Sequence, residues 1–393
     1  MQSLPRYLAL LLLVCGLILP PVVAYIAVYA TMALMLIGLA LPGGAAAFRA
    51  LRWPYAAVGG AYLLVLASLP FVYRGPPDLM APLALLPVLF MPGVPGLLRR
   101  LEPGFSITGL ASLCLAGAAL GVGAGLVEML VMQSFRIGVW NNPIHFASIT
   151  MLLGFTALIG VPGNASPWRL VFLCGPLLGL AAAILSGSRG PMFAAGLMGA
   201  VSLPLLFIWS PQDRRRLALL AALAIGGIAA LSLFGLSRSA SVIEAIGNIL
   251  ENGLAGAGDV IRSAMYETAI EAFGQSPLFG HGLGQMMQAA MAAATPEQQD
   301  LMAGYENLHS DIANFAVFAG ALGLLAYGLL IAAPLTLLRG SSRAIRLGAI
   351  ILSSGFFALG LTNAMFGVLP QTVLYAMIFG CLCMLAWSGR NTV

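Results

Sequence analysis

Long apolar runs recur along the chain, separated by short stretches of arginine, glycine and proline. A bilayer core takes about 20 apolar residues as a helix, and runs of that length fall near 7–23, 24–41, 55–73, 79–98, 105–132, 143–161, 169–187, 190–209, 217–236, 309–337, 345–366 and 370–388. In lipid the backbone must satisfy its own hydrogen bonds, so such runs are helices. The period-two alternation of a membrane barrel is absent. The pattern predicts an all-α, polytopic membrane protein of about 12 transmembrane helices. Pro82, Pro87, Pro92 and Pro95 interrupt the fourth run. The first run, followed by "PPVVA", reads either as a retained helix or as a signal cut near Ala24. The many later spans favour retention.

The pattern breaks once at length, over 237–308, dividing the chain into 1–236, 237–308 and 309–393. "SASVIEAIGNILENG" sets Val242, Ile243, Ile246, Ile249 and Leu250 against Glu244, Asn248 and Glu251, an amphipathic helix suited to a bilayer surface. "GDVIRSAMYETAIEAFGQSP" predicts a helix with Asp259 as its N-cap and Gly274 near its end. "FGHGLGQ" reads as a turn, and "TPEQQ" as a helix start with Thr295 capping and Pro296 first.

Composition agrees and adds a direction. Hydrophobic residues fill 60% of 393 positions and charged ones 8%, far below the roughly 25% of a soluble domain. All 18 basic residues are arginine, and the net charge of +5 is read through topology, not as a nucleic-acid footprint. With the N-terminus inside, Arg74, Arg136, Arg189, Arg238 and Arg262 fall outside and the other 13 inside, as the positive-inside rule requires. Both termini are then cytoplasmic and 237–308 lies outside, in a bacterium the periplasm of the inner membrane. Cys15, Cys114, Cys174, Cys381 and Cys383 all sit in apolar runs, with no metal or disulfide spacing.

The outward charges need a reason. Arg74, beside Gly75, Pro76, Pro77 and Asp78, suits a solvated loop, and Arg238 suits lipid phosphate. Arg189, within "SGSRGPM", stands at the outer end of two tightly linked helices, where Gly187 and Gly190 allow close approach. Arg262 stands in the first turn of the next predicted helix. Two such arginines would form a pocket for an anion, since guanidinium binds phosphate oxygens bidentately; local pairing of Arg262 with Glu267 or Asp259 is the competing explanation. His309 opens the tenth span in "NLHSDIANF", ahead of Asp311 and Asn314. A neutral imidazole there would take a proton from a hydroxyl, or would simply cap the helix. Arg136, Asn141 and His145 are candidates for lining the same cavity, as is Asp311. No metal pair, Walker loop, HExxH or GxSxG is present, so neither metal nor cofactor is expected.

"SGSRGPMFAAGL", "IRSAMYETAIEAFGQSPLFGHGLGQ" and "NLHSDIANFAVFAGALGLLAYGLL" together resemble the O-antigen ligase and polymerase superfamily, over residues 136–330. In that superfamily an SR-G element ends one outer helix, an R…PLFG-G-G segment follows, and a histidine motif opens the next span. Asp311 departs from the asparagine usual near that histidine. The resemblance implies a membrane glycosyltransferase, closest to O-antigen ligase. Such an enzyme moves a finished glycan from undecaprenyl diphosphate to a lipid A-core sugar on the periplasmic face, without metal. Carried onto this chain, Arg189 and Arg262 hold the diphosphate and His309 assists the acceptor hydroxyl. The alternatives are an O-antigen polymerase, another lipid-linked glycan ligase, and a non-enzymatic transporter. Transporters concentrate charge near the midplane in broken helices, whereas nearly all charges here fall at the edges; Glu128 sits either deep in the fifth run or, if that helix stops early, near its outer end.

Overall fold

A computed structural model describes residues 4–102, 104–134, 136–162, 166–219, 222, 226 and 260–390. Most of the expected ninth span, Arg238, the amphipathic stretch over 239–253 and Asp259 lie outside them. Among the described residues every regular element is helical. The principal helices are α1 (Leu4–Leu13), α2 (Ala24–Ala40), α3 (Pro42–Ala50), α4 (Arg52–Val72), α5 (Met80–Leu85), α6 (Gly93–Leu98), α7 (Ile107–Met132), α8 (Pro143–Thr156), α9 (Cys174–Ser186), α10 (Arg189–Trp209), α11 (Val260–Gln275), α12 (Met286–Ala292), α13 (Pro296–Met302), α14 (Asp311–Ala332), α15 (Arg343–Gly360) and α16 (Leu369–Arg390).

Nine described helical stretches are long and apolar enough to cross a bilayer, and a tenth arises if the bent pair α2–α3 counts as one. The α1 stretch is apolar but short, running to Ile18. The chain is therefore an all-α polytopic membrane protein. The proline-broken fourth run is real but segmented: α5, a 3-10 turn over Leu86–Phe90 and α6 follow one another within Pro76–Leu101. Each proline removes an amide donor, so one smooth helix cannot form there.

Local chemistry sets the helix starts. Ser106 accepts from Gly109 N (3.1 Å) at α7. Asn142 accepts from Ile144 N (2.9 Å) at α8, with Pro143 first in the helix. Thr295 and Gln298 form a reciprocal capping box at α13. Helices α8 and α9 touch backbone to backbone: a Cβ on Gly154 would lie 2.2 Å from the Gly175 carbonyl oxygen. Small residues replace apolar bulk at such contacts because lipid supplies no hydrophobic drive between helices. Where α14, α15 and α16 meet, Phe315, Phe356, Phe366, Tyr375 and Phe379 form an aromatic core, with Phe356 and Phe366 ring centres 4.9 Å apart.

Helix α14 is broken at Gly320 (φ 61°, ψ −143°), a combination essentially reserved for glycine. A break inside a membrane helix orphans donors and acceptors that lipid cannot satisfy. The segment Pro277–Gly282 takes them up. His281 N donates to Val317 O (2.8 Å) and Gly282 N to Phe318 O (2.9 Å). In return Ala321 N donates to Pro277 O (2.8 Å) and Leu322 N to Leu278 O (3.4 Å). Gly280 makes the approach possible, because a Cβ there would stand 2.5 Å from Ala319 N. The same segment is tied to the α4 end: buried Asp78 accepts from Gly284 N (2.8 Å) and Arg74 N (2.8 Å), and Phe71 stacks on Phe279. The "PLFGHGLG" glycines thus splint a broken helix. Replacing Gly280 with alanine is expected to cost about 3 kcal/mol, from left-handed strain plus overpacking. Thermal unfolding in detergent checks this, with Gly274→Ala, where nothing crowds the added carbon, as the control.

Candidate functional site

The arginines separate into two sets along α10. At its far end Arg169 pairs with buried Asp213 (3.1 Å), Arg216 joins that carboxylate (3.4 Å), and Arg343 donates to Trp209 O (3.3 Å). At its near end is Arg189. The helix has 21 residues, so the two sets stand about 30 Å apart, one hydrocarbon thickness.

Residues from α8, α9, α10, α11, the α7–α8 loop and the connection after α13 build the near end. Helix α9 closes with Gly187 in the left-handed region (φ 61°, ψ 26°). Gly187 N donates to Ile184 O (3.0 Å) and Ser188 N to Ala183 O (3.3 Å), the Schellman pattern. Only two residues separate the last residue of α9 from the first of α10, so Arg189 occupies the first helical position of α10. That helix start carries unpaired amides and the positive end of the helix dipole.

The loop between α7 and α8 comes next. Glu128, in the last turns of α7, accepts from Val139 N. Ile137 N donates to Leu185 O (3.2 Å) and Arg136 Nε to Ser186 O (3.4 Å). Glu128 is therefore a loop anchor at the helix end, not a midplane charge. From α11 comes Arg262, and from the connection after α13 comes Tyr305.

These parts enclose a cavity of about 410 Å³, lined by Arg136, Ile144, Gly187, Ser188, Arg189, Gly190, Pro191, Ile261, Arg262 and Tyr305. That lies within the usual range of ligand sites. Three guanidiniums and a helix N-terminus face one space, with no carboxylate in the lining. Such a lining suits an anion with several oxygens.

His309 stands behind Tyr305, the rings meeting edge to face at 5.3 Å. His145 follows Ile144 of the lining on α8. The backbone of His309 is left-handed at φ 48°, uncommon outside glycine and asparagine. Two asparagines hold it there. Asn307 Oδ1 accepts from His309 N (2.9 Å), and Asn314 Oδ1 accepts from Leu308 N (2.9 Å). Ser310 then caps α14 by accepting from Ala313 N (3.5 Å).

The structure brings together Arg136, Arg189 and Arg262, with His309 and His145 adjacent. Asn141 and Asp311 are not in the lining. Asn141 caps its own loop, accepting from Asn142 N (3.0 Å). Asp311 is fully buried and accepts from Met365 N (2.8 Å) and Phe366 N (3.2 Å). His281 makes a 2.7 Å contact from Nε2 to Ala272 O, a splint bond that fixes Nε2 as the protonated nitrogen. Tyr305 was not singled out by the sequence. Its signal is an aromatic four residues before the histidine, where the chain re-enters the membrane. No group of three or more metal-ligating side chains occurs among the described residues.

This is a membrane-embedded helical protein with an arginine-lined cavity at one end of its spans. Residues 175–328 match the family model described as O-antigen ligase, which is consistent with the O-antigen ligase and polymerase superfamily. The match runs from α9 and α10, the helix that Arg189 opens, through α11 and the splint into α14. Members of that family are glycosyl-transferring enzymes of lipopolysaccharide biosynthesis. No curated protein matches the chain significantly.

Proposed function

We propose that the protein is an O-antigen ligase, transferring a glycan from undecaprenyl diphosphate to a sugar of the lipid A core at the outer face of the bacterial inner membrane. The observation that carries this reading is the convergence of Arg136, Arg189 and Arg262 on one cavity beside His309. The arginine count turns that cavity outward and both termini toward the cytoplasm.

The acceptor hydroxyl attacks the anomeric carbon of the donor sugar. The bond from that carbon to the diphosphate oxygen breaks, and its electron pair leaves with undecaprenyl diphosphate. His309 takes the hydroxyl proton, and the guanidiniums meet the charge growing on the leaving group. Fixed cations placed where charge develops stabilise the transition state more than the ground state. The donor's tail stays in the bilayer alongside the spans, so both lipid-anchored substrates reach the site from the same leaflet.

Deletion of the gene in its host, followed by gels of the lipopolysaccharide and of the undecaprenyl-linked pool, tests this. The ligase reading expects a core without long glycan and long chains accumulating on the carrier. A core carrying a single repeat unit would instead make it the polymerase, and unchanged pools would set both aside.

A further inference from the structure

Arg189 stands on α10, Arg262 on α11, and His309 in the turn before α14. All three converge on the connection 361–366 between α15 and α16, which lies outside the matched family stretch. The first arm comes from α10. Gly190, next to Arg189, packs so closely on Thr362 that a Cβ there would stand 2.4 Å from its Oγ1 and 3.1 Å from its Cβ. The second arm comes from α11. Tyr266, one helical turn after Arg262, donates its hydroxyl to Leu361 O. The third arm comes from α14. Asp311, two residues after His309, accepts from Met365 N and Phe366 N at 2.8 and 3.2 Å.

The connection is itself rigid. Met365 and Phe366 are buried, and the Phe366 ring packs against Phe315, Phe356 and Tyr375. Asp311 is wholly buried, a placement a carboxylate tolerates only when its oxygens are bonded. Gly190 borders the cavity, whereas Tyr266, Asp311, Thr362, Met365 and Phe366 are not in its lining and act through the groups that are.

We infer that residues 361–366 are a keystone that sets the distance between the two diphosphate-holding arginines and His309. Gly190, Tyr266, Asp311 and Thr362 are its positioning residues. The role in transfer rests on the proposed function above; the mechanical coupling does not. Steric pressure on one arm is expected to be felt at another.

The test applies pressure at α10 and reads the result at His309. In purified Gly190→Ala protein the added carbon pushes Thr362. The rate at which diethyl pyrocarbonate modifies His309, followed by peptide mass spectrometry, is expected to change about threefold or more. Modification of His281, held on the splint, should stay as in the wild type. Adding Thr362→Ala, which removes the clashing hydroxyl, is expected to return His309 to its wild-type rate.

With a lipid-linked donor, Gly190→Ala should raise KM and lower kcat together by about 10–100-fold, a loss typical of a shift of about 1 Å. The double variant should recover both. Asp311→Asn should lower kcat with little effect on donor KM. A wild-type His309 rate in Gly190→Ala, or no recovery in the double variant, overturns the keystone. An altered and rescued His309 rate in a protein that transfers no glycan would leave the keystone standing and remove the ligase reading.

Discussion

Replacing His309 with asparagine is expected to lower the rate of glycan transfer by about 10²–10⁴-fold, the range lost with a general base. Asparagine tolerates the left-handed backbone that His309 adopts at φ 48°, so the turn and the α14 cap survive. The affinity for a polyprenyl diphosphate should stay within a few-fold, because the arginines are untouched. Thermal stability should hold or rise, since a strained residue is replaced by one that accepts the strain. A kcat loss with an unchanged donor KM, measured on protein of normal melting temperature, checks this. Equal losses in kcat and melting temperature would reduce His309 to a structural residue.

Removing a guanidinium acts on the other half of the site. Arg189→Ala and Arg262→Ala should each lower kcat/KM by about 10²–10³-fold, the cost of one lost donor to a developing oxyanion. Arg189→Lys keeps the charge but loses the bidentate fork, so it should recover only part of the loss. Arg136 also donates to the Ser186 carbonyl, so Arg136→Ala should additionally loosen the α7–α8 loop and lower stability. Transfer by Arg189→Lys at the wild-type rate would remove the bidentate role.

Much of this was legible in the sequence because lipid leaves few choices. A run such as 190–209 must be a helix, and an arginine such as Arg189 must sit at an end of it. The order of arginine, glycine-rich and histidine motifs also pointed to Arg189 and Arg262 together, and both line the cavity. What stayed hidden were contacts between residues far apart in the chain. The glycines of "FGHGLG" read as a turn because nothing local shows that α14 breaks at Gly320 and needs their amides. Asp311 looked like a cavity residue because its spacing from His309 is helical; its partners, Met365 and Phe366, are more than fifty positions away. The sequence left Glu128 either deep in its run or near the outer end, and its bond to the amide of Val139 settles it at the helix end. Thr362 carries no motif at all, and only its approach to Gly190 gives it a role.

Reconstitution of the purified protein in lipid vesicles measures the central claim most directly, with undecaprenyl diphosphate-linked glycan as donor and lipid A-core as acceptor. The account predicts that the wild type moves the glycan onto the core and frees undecaprenyl diphosphate in equal amount, and that Arg189→Ala does neither. Transfer that survives the loss of Arg189, or a wild type that leaves donor and acceptor unjoined, would contradict it.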